Sequence, residues 1–306
     1  MKRNYVLYIM SIPIIVYFVL FCYLPMFGLL ISFQDFNIIK GVFNSPWTDM
    51  YGFAHFYKFF TGSMFWPVMK NTLLISFYEI IFSFPAPIIF ALMLNEIKNL
   101  KYKKIIQTVT YLPHFISVVV ICSMIIRFFQ HDGIITSLIA LLGGERRDYI
   151  IDADAFRTIY VGTGIWQGIG WGSIIYISAL SSIDQELYEA AVIDGAGKWK
   201  QLIHITIPGI ASTIIILFIM RMGQILSVGY EKIILLQRSE TVSVSRVLSV
   251  YTYERGLGGL SGSTVASGSN QYSYASAVGV FTSLVNILFL AITNKISKKV
   301  SETSLF

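Results

Sequence analysis

The sequence predicts an all-α membrane protein with six transmembrane helices. Three observations carry this. Apolar residues make up 55% of the 306 residues and charged residues only 13%, with a mean hydropathy of +0.66. A soluble domain carries about 25% charged residues. Second, six stretches reach the roughly 20 apolar residues that a bilayer crossing needs. Third, the lysines cluster between alternate stretches, as cytoplasmic loops require.

The first stretch runs from Tyr5 to Ser32. It is longer than the 7–15-residue core of a typical signal peptide, and no small-residue cleavage site follows, so it reads as a retained helix. The others are Thr72–Leu94, Ile105–Phe128, Thr158–Leu180, Ile205–Val228 and Ala275–Thr293. Lys2 and Arg3 precede the first. Lys98, Lys101, Lys103 and Lys104 separate the second and third, Lys198 and Lys200 the fourth and fifth. Lys295, Lys298 and Lys299 follow the sixth. With six spans all four groups face one side, which places both termini in the cytoplasm. The formal charge of +6 is therefore a topology signal. A basic face with interleaved aromatics on a soluble domain, as nucleic-acid binding wants, is not seen.

Three segments fall outside. Gln34–Lys70 is rich in aromatics, which suits a membrane interface. Phe129–Arg157 carries mixed charge. Gly229–Tyr274 ends in a Gly/Ser-rich stretch, Gly258–Gly268, which reads as a flexible loop tip. None suffices for a separate catalytic domain, so residues 1–306 read as one transmembrane unit. Cys22 and Cys122 lie in apolar runs and read as small buried hydrophobes. No metal-ligand spacing occurs. His55, His114, His131 and His204 fall in separate segments, which argues against a metal site or a membrane enzyme. For His114, after Pro113, the reading is a hydrogen-bonded structural histidine. Pro85 and Pro87 mark a kink or a packing shift in the second span.

The largest cytoplasmic loop, Ser181–His204, and the start of the fifth span hold the densest information. Leu187, Ala191 and Gly195 step by four and form one stripe of a short helix, flanked by Glu186, Ala190 and Asp194. Gly195 and Gly197 weaken the helix and predict a bend. Pro208 suits the first turn of the next helix. Such a small-residue stripe suits a cytoplasmic protein partner.

The pattern Glu189-Ala190-Ala191, three residues, Gly195, nine residues, Ile205-x-Ile207-Pro208 resembles the EAA loop of ABC importer permeases. Ile207 stands where that family has leucine. "FQDFN" at Phe33–Asn37, "YLPHFIS" at Tyr111–Ser117, "WQGIGWGSIIYISAL" at Trp166–Leu180 and "YSYASAVGVF" at Tyr272–Phe281 are similar to the oligosaccharide and polysaccharide branch, called LplB-like. The resemblance covers essentially the whole chain. It implies a type I ABC importer permease fold, with a core of about 72–293, a coupling loop at 181–208 and an extra N-terminal span of about 5–32. It implies that Glu189, Ala190, Ala191, Asp194 and Gly195 transmit force from ATPase subunits and catalyse nothing. The chain lacks a Gly-x-x-x-x-Gly-Lys-Ser/Thr phosphate loop, so ATP and Mg belong to partner subunits. The implied partners are a second, homologous permease, an ATPase dimer, an extracellular solute-binding protein and the bilayer of a bacterial cell. The implied cargo is an oligosaccharide or related glycan.

Polar groups inside spans tend to face the interior. Trp166, Gln167, Trp171, Ser173 and Tyr176 lie in the fourth span, Arg221 and Gln224 in the fifth, and Ser276, Thr282, Ser283 and Asn286 in the sixth. Tryptophan faces stack on sugar rings, and amide or guanidinium groups hydrogen-bond hydroxyls. Close helix packing at the glycines, interfacial anchoring by tryptophan and a structural ion pair for Arg221 remain open beside the pathway reading. Glu79, a lone carboxylate in the second span, keeps a proton-coupled carrier as the alternative, together with a permease for a non-carbohydrate solute. Secondary transporters usually carry more such groups and inverted repeats, and neither is seen.

Overall fold

The computed structural model describes residues 5–257, 270–301 and 304–305. Lys2, Arg3 and the Gly258–Gly268 tip, Ser263 included, lie outside the described residues. Among those described, extended pairing is limited to one isolated bridge, Gln34 to Trp47, and the rest is helix and turn.

The chain divides into two compact units, residues 1–66 with 250–284, and residues 67–249 with 285–306. In the first, α1 (Tyr5–Phe18) continues through a π turn, Val19–Tyr23, and a 3₁₀ stretch, Phe27–Phe33. The resulting span, Tyr8–Phe33, buries none of its apolar window against the protein. Its side chains are suited to lipid. The following loop is pinned at Gln34, whose carbonyl lies 3.2 Å from His55 Nε2. Phe59 on α2 (Ala54–Thr61) is 2% exposed and gathers Phe60, Phe65, Tyr251, Tyr274 and Phe281 around it. Edge-to-face and tilted pairs of this kind add to plain area burial. Tyr51, by contrast, is fully exposed, on a turn where Met50 and Tyr51 both take positive φ.

In the second unit, α3 (Phe65–Tyr78) and α4 (Pro85–Asn95) join through a π turn, Glu79–Ser83, into one span of 31 residues. The third expected span is not one helix. It divides into α5 (Leu100–Tyr111) and α6 (Val118–Phe129), with a 3₁₀ turn at Leu112–Phe115 and extended backbone at Ile116. Pro113, which lacks an N–H and so cannot extend the α-helical bonding, opens the turn; Leu112 before it keeps helical backbone, and the chain leaves the helix at Ile116. An apolar window runs on from α6 through α7 (Ile134–Leu141).

α8 (Ala153–Ser181) has 29 residues, or about 43 Å at 1.5 Å per residue, ample for a crossing. Its glycines and polar groups keep it below the hydropathy of the other spans. The fifth span is bent by 57° between Lys198–Gly209 and Ala211–Met222. The hinge is Ile210 (φ −105°, ψ 4°), which is itself fully buried. The sixth is Gln271–Lys299 within α14 (Asn270–Ser301). Four helices and the bent pair are long and apolar enough to cross a membrane, and six spans are consistent with these lengths once α8 is included.

The segment after the fifth span does not remain an outer surface throughout. The helix α12 (Tyr230–Leu236) buries Ile233 and Leu236, and further on Thr241, Ser245, Val247 and Leu248 are buried too. Asn71 ties this segment down. Its Nδ2 donates to the carbonyls of Ser243 and Arg246 at 2.9 and 3.2 Å, and its Oδ1 accepts from Arg157 at 3.0 Å.

Glycines set how closely α8 packs. A Cβ on Gly170 would lie 2.3 Å from the Thr110 carbonyl oxygen, whereas one on Gly162 meets nothing within 4 Å. Gly170→Ala is therefore expected to destabilise the protein by about 1–3 kcal/mol through overpacking, while Gly162→Ala is neutral or slightly stabilising. Thermal unfolding of the two purified variants checks this. Equal Tm values would refute the close approach of α8 to α5.

Candidate functional site

Two regions combine exposure with built geometry. The first is the loop between the fourth and fifth spans. Asp184 caps α9 (Gln185–Ile193) by accepting from the Glu186 N–H at 3.0 Å. The helix closes in a Schellman motif: Ala196 N–H donates to Ala191 O at 2.8 Å, and Gly195 N–H to Val192 O at 3.0 Å. Gly195 takes φ +73°, the left-handed conformation that costs other residues about 1–2 kcal/mol. A Cβ there would meet nothing within 4 Å. The glycine thus serves the backbone turn. Because α9 ends at Ile193, the expected stripe stops at Ala191 and Gly195 lies beyond the helix.

The chain then turns through α10 (Lys198–Gln201) into a π turn, Leu202–Thr206. Buried Gln201 donates to the Ala196 carbonyl at 2.9 Å. Tyr188 OH and Thr206 Oγ1 sit 2.9 Å apart, joining α9 to the foot of the fifth span. Lys198 pairs with Glu96 at 3.3 Å, but both are exposed, so the pair contributes little. Glu189, Ala190, Asp194 and Gly195 are exposed and Ala191 half-buried. So are the large apolar side chains Leu187, Val192, Ile193 and Trp199, with Ile193 at 86%. A cavity of about 530 Å³ opens between Glu96, Tyr188, Glu189 and Val192.

The second region lies within the spans. Arg221, on α11 (Ala211–Met222), donates to Glu79 Oε2 at 2.5 Å and to the Gln224 carbonyl at 3.2 Å. Glu79 is thus not isolated, and Arg221 is held in an ion pair. Lys232 on α12 stands nearby, its Nζ donating to the Tyr160 carbonyl at 3.1 Å and lying 5.0 Å from the Tyr160 ring centroid. Glu79 is within Coulombic range of Lys232. Lys232 was not singled out by composition or motif. The signal was the apolar run Ile233–Leu236 directly behind it, unusual for an outer loop.

The other candidates separate. Gln167 and Trp171 step by four along one face of α8. The Trp171 ring stacks on His114 at 4.7 Å and 3° between planes, and Phe115 meets it edge-on at 5.5 Å. His114 is therefore part of an exposed ring stack. Trp166 lies on another face and lines an apolar groove with Met124, Ile125, Phe128 and Ile159. Tyr176 is buried in a core cluster with Ala91, Leu180 and Ile210, so its ring faces protein. Ser173 is buried and donates to the Gly170 carbonyl at 2.6 Å. Gln224 is exposed. Asn286 is spent on structure: its Oδ1 accepts from Leu226 N–H at 3.0 Å and its Nδ2 donates to Ser227 Oγ at 2.9 Å. It satisfies backbone where α11 has ended. Among the described residues no three His, Cys, Asp or Glu side chains converge to hold a metal ion.

A family model described as "binding-protein-dependent transport system inner membrane component" matches residues 83–302. Protein LplB of Bacillus subtilis is 41% identical over 307 residues, covering 100% of this chain and 92% of that protein. The polygalacturonan/rhamnogalacturonan transport system permease protein YteP of the same organism is 37% identical, covering 98% and 90%. Among solved structures, a chain of a bacterial alginate ABC transporter, in complex with an alginate pentasaccharide-bound periplasmic protein, superposes with a TM-score of 0.87. Its identity is 35%, with 99% of this chain and 98% of that chain covered.

The Glu79–Arg221 pair makes a defined test. Its side chains are 24% and 21% exposed. Glu79→Leu leaves two cations without their carboxylate and is expected to cost up to about 3 kcal/mol. Glu79→Leu combined with Arg221→Met should recover most of that loss. A double-mutant cycle on unfolding midpoints measures the coupling, and additive single effects would mean that the pair does not act as one.

Proposed function

As a member of the family of binding-protein-dependent transport system inner membrane components, the chain is a transmembrane transport subunit and not an enzyme, and we propose that it forms half of the pathway of an ATP-driven importer for oligosaccharides. The carbohydrate class is supported by the similarity to YteP and to the alginate transporter. The other half of the pathway comes from a second, homologous permease. ATP and Mg are bound by two ATPase subunits, since this sequence carries no phosphate loop. An extracellular binding protein delivers the glycan, and both termini lie in the cytoplasm of a bacterial cell.

The observation that carries the ATPase assignment is the α9 surface. Leu187, Val192, Ile193 and Trp199 are exposed beside Glu189 on a loop that its own caps and the Tyr188–Thr206 hydrogen bond hold in shape. Exposed apolar clusters rimmed by polar groups mark docking surfaces. In this role Glu189, Ala190, Ala191, Asp194 and Gly195 form and shape the coupling helix that ATPase closure pushes. The binding protein docks on the Gln34–Lys70 segment, where Trp47, Tyr51 and Trp66 are exposed.

Gly195→Asp is expected to leave membrane insertion intact, because it lies outside the spans, and to abolish glycan-stimulated ATP hydrolysis in the reconstituted complex. Glu189→Lys should impair it also. Wild-type stimulation with Gly195→Asp at normal expression would overturn the coupling role. Topology has its own test. On a background with Cys22 and Cys122 replaced by serine, cysteines at Lys103 and Lys198 should resist a membrane-impermeant thiol reagent in intact cells, and one at Ser263 should react. Labelling of Lys198→Cys from outside would refute the orientation.

A further inference from the structure

We propose that the α8 face carrying Gly164, Gln167, Gly168 and Trp171 forms, with Lys232, a glycan groove in which Lys232 selects sugars that bear a carboxylate. The proposal rests on the carbohydrate-importer reading and adds a charge requirement and the residue that sets it.

The first observation is a charge imbalance. Glu79, Arg221 and Lys232 bring two formal positive charges and one negative into the same part of the second unit. The carboxylate is engaged by Arg221 at 2.5 Å. Lys232 makes no ion pair within 4 Å among the described residues, although it is only half-exposed. A cation held beside membrane-spanning helices with no carboxylate in direct contact is costly and marks a functional position. An ammonium has three N–H donors, and the Tyr160 carbonyl takes one. The others are available to an anion that is not part of this chain.

The second observation is space at the ammonium. A Cβ on Gly164 would meet only Lys232 Nζ, at 3.5 Å, and one on Gly168, a turn further along, would meet nothing within 4 Å. Open backbone therefore adjoins the charge. Gln167 lies on the same face, half-buried, and its carboxamide makes no hydrogen bond among the described residues. It offers a donor and an acceptor to hydroxyls. The face ends at Trp171, 46% exposed, with one side of its indole held flat by His114. The remaining side is an aromatic floor for the apolar face of a sugar ring. From Gly164 to Trp171 the rise is about 10 Å. Cation, amide and aromatic floor thus follow one another along the helix. The opposite face, with Trp166, lines a mostly apolar groove with no charged side chain.

A neutral sugar can use Gln167 and Trp171 but draws nothing from Lys232. The discriminating experiment uses the importer reconstituted in liposomes with its own permease, ATPase and binding-protein partners. The probes are a trimeric uronic-acid oligosaccharide, its methyl ester, and a neutral trisaccharide. The methyl ester keeps the skeleton and loses the charge. Wild-type uptake should favour the acid. Lys232→Gln, which can still donate to the Tyr160 carbonyl, should lower uptake of the acid about tenfold or more and leave the acid no better than its ester. Lys232→Arg should retain the preference. Gly168→Leu fills the groove and should lower uptake of every probe that the wild type carries. Should Lys232→Gln assemble poorly, Gly168→Leu and Lys232→Arg still report on the groove and the charge. Uptake of neutral sugars in preference to the acid would overturn the carboxylate selection and leave the carbohydrate reading standing. Equal loss of acid and ester in Lys232→Gln would also overturn it. No uptake of any glycan by the complete wild-type assembly would overturn both.

Discussion

A helix that carries proline through a bilayer must deal with a missing N–H where no water can replace it. This chain meets the constraint in one way three times. The π turns at Val19–Tyr23, Glu79–Ser83 and Leu202–Thr206 each end two residues before a proline: Pro25, Pro85 and Pro208. Widening the preceding turn to i→i+5 hydrogen bonds, as between Phe84 N–H and Glu79 O, relieves the clash of the ring with the carbonyl four residues back. The inserted residue also rotates whatever follows. One π turn starts at the carboxylate that meets Arg221. Another forms the foot of the fifth span, where Thr206 meets Tyr188 of α9. Much of the second unit's polar architecture therefore starts from a proline and the turn that accommodates it.

The Gly164–Trp171 face and the loop that holds α9 are joined by one helix. α8 carries Gly164 and Trp171 and ends at Ser181, three residues before Asp184 caps α9. Gly209 lets the fifth span approach this corner, since a Cβ there would come within 2.7 Å of Ile183. α9 is thus tied to the spans in two ways, through α8 and through the bent fifth span. The hinge at Ile210 is packed in the core with Tyr176 and Leu180 of α8, so the two connections share one packed corner.

What was legible in the sequence was what depends on local spacing. Apolar length marked the spans, and the run from Glu189 to Pro208 gave a short helix and a bend. Gly195 was read as a bend and takes positive φ there. What escaped depended on residues far apart in the chain. Lys232 looked like part of an outer loop, because nothing local shows that α12 packs back against α6 and α8. Asn286 looked like a pathway residue, yet its amide is used by Leu226 and Ser227, some 60 positions earlier. The break at Leu112–Ser117 was foreshadowed by Pro113, but hydrophobicity carries straight across it. Side-chain polarity indicates that a group needs a partner, and only the fold tells whether that partner is the protein or its cargo.

The Glu79–Arg221 pair has a further consequence, for the birth of the protein. Its members are 142 residues apart. At roughly 5–20 residues per second of synthesis, about 7–28 s separate the appearance of the carboxylate from that of the guanidinium. Throughout that interval the second span has left the ribosome without the cation it finally pairs with. The N-terminal span, which buries no part of its apolar window in the protein, has no such debt and can settle in lipid at once. The second has to be sheltered by the insertion machinery or by water at the membrane surface until the fifth arrives. Assembly of this chain is thereby ordered in time: the carboxylate of the second span meets its partner only when the fifth span arrives.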